Sequence, residues 1–157
     1  MYELEVTEVR VDASGGSTVV VLREASGDRL IPIWMSASAA AAVVSATEEP
    51  DELRPCVHDL VAGLIGTSGA RLSEVRITEY VDGQFFAKLV FGTHTVSVRP
   101  SDGIALALRL RCAIRCTEDV LKHAGVRPTA QDEVERFREF LDNVTPDDFQ
   151  PPESGEV

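Results

Sequence analysis

The sequence lacks any apolar run approaching the roughly 20 residues that a membrane span requires, so a soluble chain with no membrane partner is expected. It also lacks a basic, apolar leader. Met1-Tyr2-Glu3-Leu4-Glu5 is acidic and alternating instead, which makes the cytoplasm the expected location. Cysteine is scarce: Cys56, Cys112 and Cys116 are an odd number, cannot all pair within the chain, and suit free thiols in a reducing compartment. Lysine is nearly absent, with 2 against 13 arginines, a bias that fits a GC-rich genome. There is no Walker loop, dinucleotide fingerprint, zinc-protease helix or nucleophile elbow, and the enzyme classes that carry those motifs lose their claim.

What is present is enough for one hydrophobic core. The chain has 157 residues, 44% hydrophobic and 26% charged, an ordinary globular composition. Fifteen basic against 26 acidic side chains give a net charge of -11, which repels polyanions at long range. The excess is uneven, however. Residues 127–157 hold nine acids and three arginines, so the preceding 126 residues carry only -5 and leave room for a local basic face.

Hydrophobic periodicity predicts an α+β fold, a largely antiparallel or mixed sheet with short helices packed on it. Residues 2–12 alternate but change parity near Thr7-Glu8, which predicts a bulged strand. A turn over 13–17, a β-branched strand from Thr18 to Glu24 and a return strand from Arg29 to Trp34 follow, with Pro32 placing the last near a sheet edge. Ser36 or Ser38 caps an alanine-rich helix to Ala46 whose small side chains imply close backbone approach. After a charged loop, Leu60, Val61, Leu64 and Ile65 predict a helix over 58–68, ended by Gly69. Arg71 to Val81, an Asp82-Gly83 turn and Gln84 to Phe91 predict a hairpin, and His94 to Arg99 extends it into a meander. A helix starts at Ser101. Cys112 to Cys116 is extended, and Thr117 caps a helix that Gly125 ends with positive φ. Beyond a domain over 1–126, residues 127–157 are expected to form a linker, an amphipathic helix over 131–142 able to dock on the core or a partner, and an acidic disordered tail.

Two segments place polar groups at helix mouths. In Arg99-Pro100-Ser101-Asp102-Gly103, Ser101 suits an N-cap and Asp102 complements the helix dipole, which is a complete structural account. The functional account gives Arg99 a phosphate or carboxylate to grip and Asp102 a proton or divalent ion. Arg54-Pro55-Cys56-Val57-His58-Asp59 gathers guanidinium, imidazole and carboxylate within six positions, suited either to acid-base chemistry or to capping a helix. Neighbouring helix starts can bring both segments to one rim. A zinc site from Cys56, His58, Cys112 and Cys116 has irregular spacing, and buried thiols acting as small hydrophobes explain the cysteines more simply.

Taken in order, RLIPIW, RPCVHDLV, Asp82-Gly83-Gln84-Phe85, RPSDGIALALR and EDVLKHAGV resemble the bifunctional nuclease (BFN) domain family over residues 1 to about 126. The tail DEVERFREFLDNVTPDDF is similar to the C-terminal extension of actinobacterial members. The resemblance implies a cytoplasmic, self-associating α+β domain in a family named for DNase and RNase activity. It implies phosphodiester hydrolysis of broad specificity, with nucleic acid as substrate and a second copy as partner. On the matching motifs, His58, Asp59 and Asp102 are the candidate catalytic residues, and Arg54, Arg99, Ser101 and Arg109 the candidate substrate-binding ones. No metal ligands are assigned; a divalent cation, Mg or Mn, is the cofactor such chemistry suggests.

The chain also departs from the family's pattern. Ser36 and the run Ala39 to Ala42 stand where a glycine and then a glutamate are usual, so a carboxylate for a metal or a proton is missing. Val57 replaces a usual threonine, Gly103 an alanine or serine, and Ala113 and Arg115 a proline and an aromatic. These departures support an alternative, a divergent non-catalytic module for oligomerisation or protein interaction.

Overall fold

The computed structural model describes residues 1–11 and 17–129, and the chain separates into two units, Met1–Val126 and Arg127–Val157. Most of the turn expected over 13–17, the amphipathic helix expected over 131–142 and the acidic tail lie outside the described residues. The elements of the first unit are β1 (Tyr2–Val11), β2 (Thr18–Glu24), β3 (Leu30–Met35), α1 (Ala37–Ser45) and α2 (Val57–Thr67). They continue with β4 (Glu74–Val81), β5 (Gln84–Phe91), β6 (His94–Val98), α3 (Pro100–Leu110), β7 (Ala113–Cys116) and α4 (Glu118–Ala124). Among the described residues the strands form one mixed sheet in the order β3-β2-β1-β7-β4-β5-β6. Only β4 and β7 pair in parallel. The fold class is α+β, as the periodicity predicts.

Local chemistry explains most boundaries. The register of β1 against β2 shifts between Val6 and Glu8, where the alternation slips. β3 is an edge strand, which tolerates Pro32 because no second neighbour needs its missing amide proton. Asp82 and Gly83 both take positive φ, 50° and 80°, matching the twist of the β4–β5 hairpin. β4 begins later than expected: Leu72 turns into the core and Ser73 gives its amide and hydroxyl to Val90 O, so regular pairing starts at Glu74.

Two helix ends differ from expectation. Arg99, not Ser101, is the N-cap of α3, because Pro100 has φ preset for the first helical position; Ser101 falls one residue further in and is buried. Gly125 ends α4 with φ -74°, not a positive value. Its role is spatial, since a Cβ there would lie 2.3 Å from Leu121 O, and the chain leaves α4 directly into the Leu30–Val126 bridge.

Alternate residues of the strands, among them Val20, Leu22, Ile31, Ile33, Val75, Ile77, Leu89 and Ile114, meet α1, α3 and α4 in the main core. α4 packs on both β3 and β4, four places apart in the sheet, so the sheet curls around it. Ser36 Oγ accepts the Ala39 amide to start α1, and its small side chains let it lie against α3. α3 is the central helix. Ile104, Ala105, Leu106 and Ala107 are buried, and Gly103 lies so near the sheet that a Cβ would be 2.8 Å from Val75 Cγ1 and 3.2 Å from Val98 Cγ1.

Gly103→Ala therefore sets a gain in helix propensity of up to about 1 kcal/mol against overpacking of about 1–3 kcal/mol. A net loss is expected, because the valine methyls sit on strands that cannot swing away. Urea unfolding checks it: a lowered midpoint is expected, and the double variant Gly103→Ala, Val75→Ala should recover part of the loss.

Candidate functional site

The mouths of α2 and α3 meet. His58, in the first turn of α2, places Nε2 3.0 Å from Oδ1 of Asp102, in the first turn of α3 and 44 positions away. Arg99, the residue that caps α3, donates from Nε to Asp102 Oδ2 at 2.6 Å and from Nη2 to Oδ1 at 3.1 Å. Burial favours the neutral form of Asp102, but the bonds from Arg99 and His58 outweigh it and hold the carboxyl below its ordinary range. The same contact raises Arg99. An ionised carboxylate only accepts, so His58 Nε2 carries the proton and donates it. In the neutral ring Nδ1 is then the lone-pair nitrogen, and no described residue bonds it.

Asp59 takes a different direction from its neighbour. Its Oδ2 accepts the Cys56 amide at 2.9 Å, which caps α2, and its Oδ1 lies 2.7 Å from Arg109 Nε near the far end of α3. The two side chains are 10% and 8% exposed, and the contact is an ion pair without hydrogen-bond alignment. Bonds from the Cys56 amide and thiol, then the charge of Arg109, keep Asp59 below the usual carboxylate range against the opposing effect of burial. Arg109 also donates from Nη1 to Glu48 O at 2.5 Å and from Nη2 to Ser45 O at 2.9 Å, closing the C-terminal end of α1.

The expected site residues thus divide into three groups. His58, Asp102 and Arg99 converge. Asp59 and Arg109 form a clamp that joins three helices. Arg54 is exposed on the loop before α2, where Asp51 Oδ1 accepts its amide, and Ser101 is buried beside Arg99 at the start of α3.

A groove of about 520 Å³ opens next to the dyad, lined by Trp34, Tyr80, Phe85, Arg99, Ser101 and His123 among others. His58 and Asp102 do not line it; Arg99 is the link between groove and dyad. Tyr80 and Phe85 are in ring contact with centroids 4.5 Å apart, and Trp34 is exposed on edge strand β3. Among the described residues no Asp or Glu lines the groove, although the chain is strongly acidic. Sequence reasoning did not find this groove, since its aromatics come from separate strands; the exposed tryptophan of the RLIPIW segment was the available signal.

The donors do not suit a resident Mg or Mn ion, which takes several oxygen ligands. Both Asp102 oxygens face cations, Asp59 faces Arg109 and the Cys56 amide, and among the described residues no three His, Cys, Asp or Glu side chains gather. The cysteines do not gather either. Cys56 is exposed, Cys112 is half-buried, and Cys116 is buried with its thiol pushed up to about 11.

With this geometry established, comparison with known proteins identifies the class. The sequence profile of the bifunctional nuclease domain matches residues 20–129, and the chain belongs to that family. Two uncharacterized proteins from strains of Mycobacterium tuberculosis are 42% identical to it, over 96% of this chain and 99% of their own length. Bifunctional nuclease 2 of Oryza sativa is 26% identical over 74% of this chain, which spans 38% of that longer protein. Family and rice relative carry a nuclease name at that level. Among the described residues no helix is long and apolar enough to cross a membrane.

Arg109→Ala is expected to destabilise the protein by about 3 kcal/mol, because it strands a buried carboxylate and removes the donors to Ser45 O and Glu48 O. Arg109→Lys should recover only part of that, since an ammonium cannot fork between Ser45 O and Glu48 O. Chemical denaturation of the three proteins measures both effects.

Proposed function

We propose that this protein hydrolyses phosphodiester bonds in nucleic acid, with His58 as general base, Asp102 as its orienting partner and Arg99 as the group that meets phosphate. The carrying observation is the convergence of His58, Asp102 and Arg99 within hydrogen-bond distance. His58 Nδ1 takes a proton from water as the water oxygen bonds to phosphorus, and the departing sugar oxygen leaves with a proton returned from the imidazolium. Asp102 stabilises that imidazolium, offsetting the positive end of the α2 dipole, which disfavours it. Arg99, already on the groove, offsets charge on the phosphate oxygens. The aromatic groove, lined by no carboxylate among the described residues, supports an approach in which a base lies against Trp34 or Tyr80. No step passes through a metal ion.

A second reading is a non-catalytic module. It is favoured by the lack, among the described residues, of any carboxylate on the groove beside α1, where Ser36 and Ala39 sit. Under either reading self-association and a cytoplasmic setting are our inferences from the family.

Purified protein is incubated with RNA and with single-stranded DNA oligonucleotides, in EDTA and in added Mg or Mn. Cleavage that survives EDTA and falls by about 100-fold or more in His58→Ala and Asp102→Asn is expected from loss of a general base and its partner. Cleavage undiminished in both variants, or none by the native protein under any condition, overturns the proposal. Linkage gives a separate check on the dyad. Because the folded pKa of Asp102 is lowered, its pairing stabilises the protein above the unfolded value near pH 4 and is lost as pH falls through the folded value. Asp102→Asn should therefore flatten the acid side of a stability-against-pH curve.

A further inference from the structure

α2 is unusual for a surface helix, because its outward face carries no charge. That face consists of Val57, Leu60, Gly63, Leu64 and Thr67, all exposed, whereas the half-buried Val61 and Ile65 turn toward the core. Val57 is 70% exposed, Leu60 57% and Leu64 59%, and Leu53 on the preceding loop is 92% exposed. Positions 57, 60 and 64 recur at helical spacing, so they form one stripe. Single exposed leucines need no explanation, but a contiguous apolar stripe without a charge in a chain of net charge -11 marks a contact surface. Gly63 and Gly66 add room, since a Cβ built on either meets nothing within 4 Å and another backbone can come close.

We infer that this face packs against the same face of a second copy, α2 against α2 in antiparallel orientation about a twofold axis. The charges at the ends of the stripe decide both occupant and direction. Before α2 lie the exposed acids Glu48, Glu49, Asp51 and Glu52, outnumbering the single Arg54 of the same loop; after it lies exposed Arg71. An antiparallel pair sets the acidic loop of each copy against the arginine end of the other, whereas a parallel pair sets acid against acid. The surface is therefore complementary to itself, as a twofold contact requires. α2 is about 16 Å long at 1.5 Å per residue, and with the Leu53 loop it offers a core of large apolar groups with a charged rim. The contact has a functional consequence, because α2 also carries His58: pairing fixes the helix that presents the proposed base. This inference rests on the self-association put forward above and adds the face that makes it.

Sedimentation velocity on the full chain, over roughly 1–100 µM, reads the oligomeric state. Native protein is expected to be a dimer, and Leu60→Glu and Leu64→Glu each to weaken association by about 30-fold or more, the scale of a buried hot-spot residue. Both side chains point to solvent in the single chain, so far-UV circular dichroism should be unchanged in the dilute variants. Arg71→Glu is expected to weaken the dimer as well, and Arg71→Glu combined with Glu49→Arg and Glu52→Arg to restore it, which loss of folding cannot mimic. A native protein that stays monomeric throughout overturns both self-association and this face. A native oligomer left intact by Leu60→Glu and Leu64→Glu overturns the face alone.

Discussion

The structure around the candidate site depends on how α2 is held. None of its residues reaches full burial, and its outer face is apolar and exposed, so packing alone gives it little anchorage. Two successive side chains supply the rest: His58 reaches Asp102 and Asp59 reaches Arg109. Asp102 and Arg109 are seven positions apart, two turns of α3, and therefore lie along one line of that helix. α3 is in turn fixed to the sheet by its buried apolar residues and by the near contact at Gly103. The order of dependence runs from sheet to α3, from α3 to α2, and from α2 to the imidazole. A change at Arg109 thus reaches His58 without touching it.

The same arrangement separates the two carboxylates that looked equivalent in the sequence. Both sit in the first turn of a helix, and both are held below the ordinary range. Asp59 is occupied by a backbone amide and a buried guanidinium, partners that do not exchange with solvent or substrate easily. Asp102 is shared between an imidazole and an arginine that is largely exposed and lies on the groove. The first is an anchor. Under the function proposed above, the second is placed where a phosphate would compete for Arg99, tying substrate arrival to the charge seen by His58.

Much of the fold was legible because strand alternation and turn chemistry are local. The bulge in β1, Pro32 at an edge, the Asp82-Gly83 hairpin and the Ser36 and Thr117 caps follow from residues within a few positions of each other. The errors arose where tertiary contact overrides local preference. Ser101 suits a cap, but Pro100 moves the helix start and packing buries the hydroxyl; Gly125 suits a left-handed stop, but the bridge to Leu30 draws the chain out extended. The candidate residues were legible as types at helix mouths. Their pairing was not, because His58 with Asp102 and Asp59 with Arg109 span 44 and 50 positions and carry no periodic signal. The groove was hidden for the same reason, since its aromatics come from β3 and the β4–β5 hairpin, which only the curl of the sheet brings together.

Net charge, read over the whole chain, argues against a polyanionic partner, and the groove changes the weight of that argument. Screening limits a charge to about 8–10 Å at physiological ionic strength, so what a phosphate meets is set by the groups that line its path. Those groups include Arg99, His123 and aromatic rings, and Asp102, the acid that Arg99 contacts, is held between Arg99 and His58. The acids are instead concentrated elsewhere: nine of the 26 lie beyond residue 126, and four lie on the loop before α2. Among the described residues no carboxylate lines that groove, so an anion that reaches Arg99 meets no like charge on its walls. The distribution of charge, rather than its sum, therefore agrees with a nucleic-acid ligand.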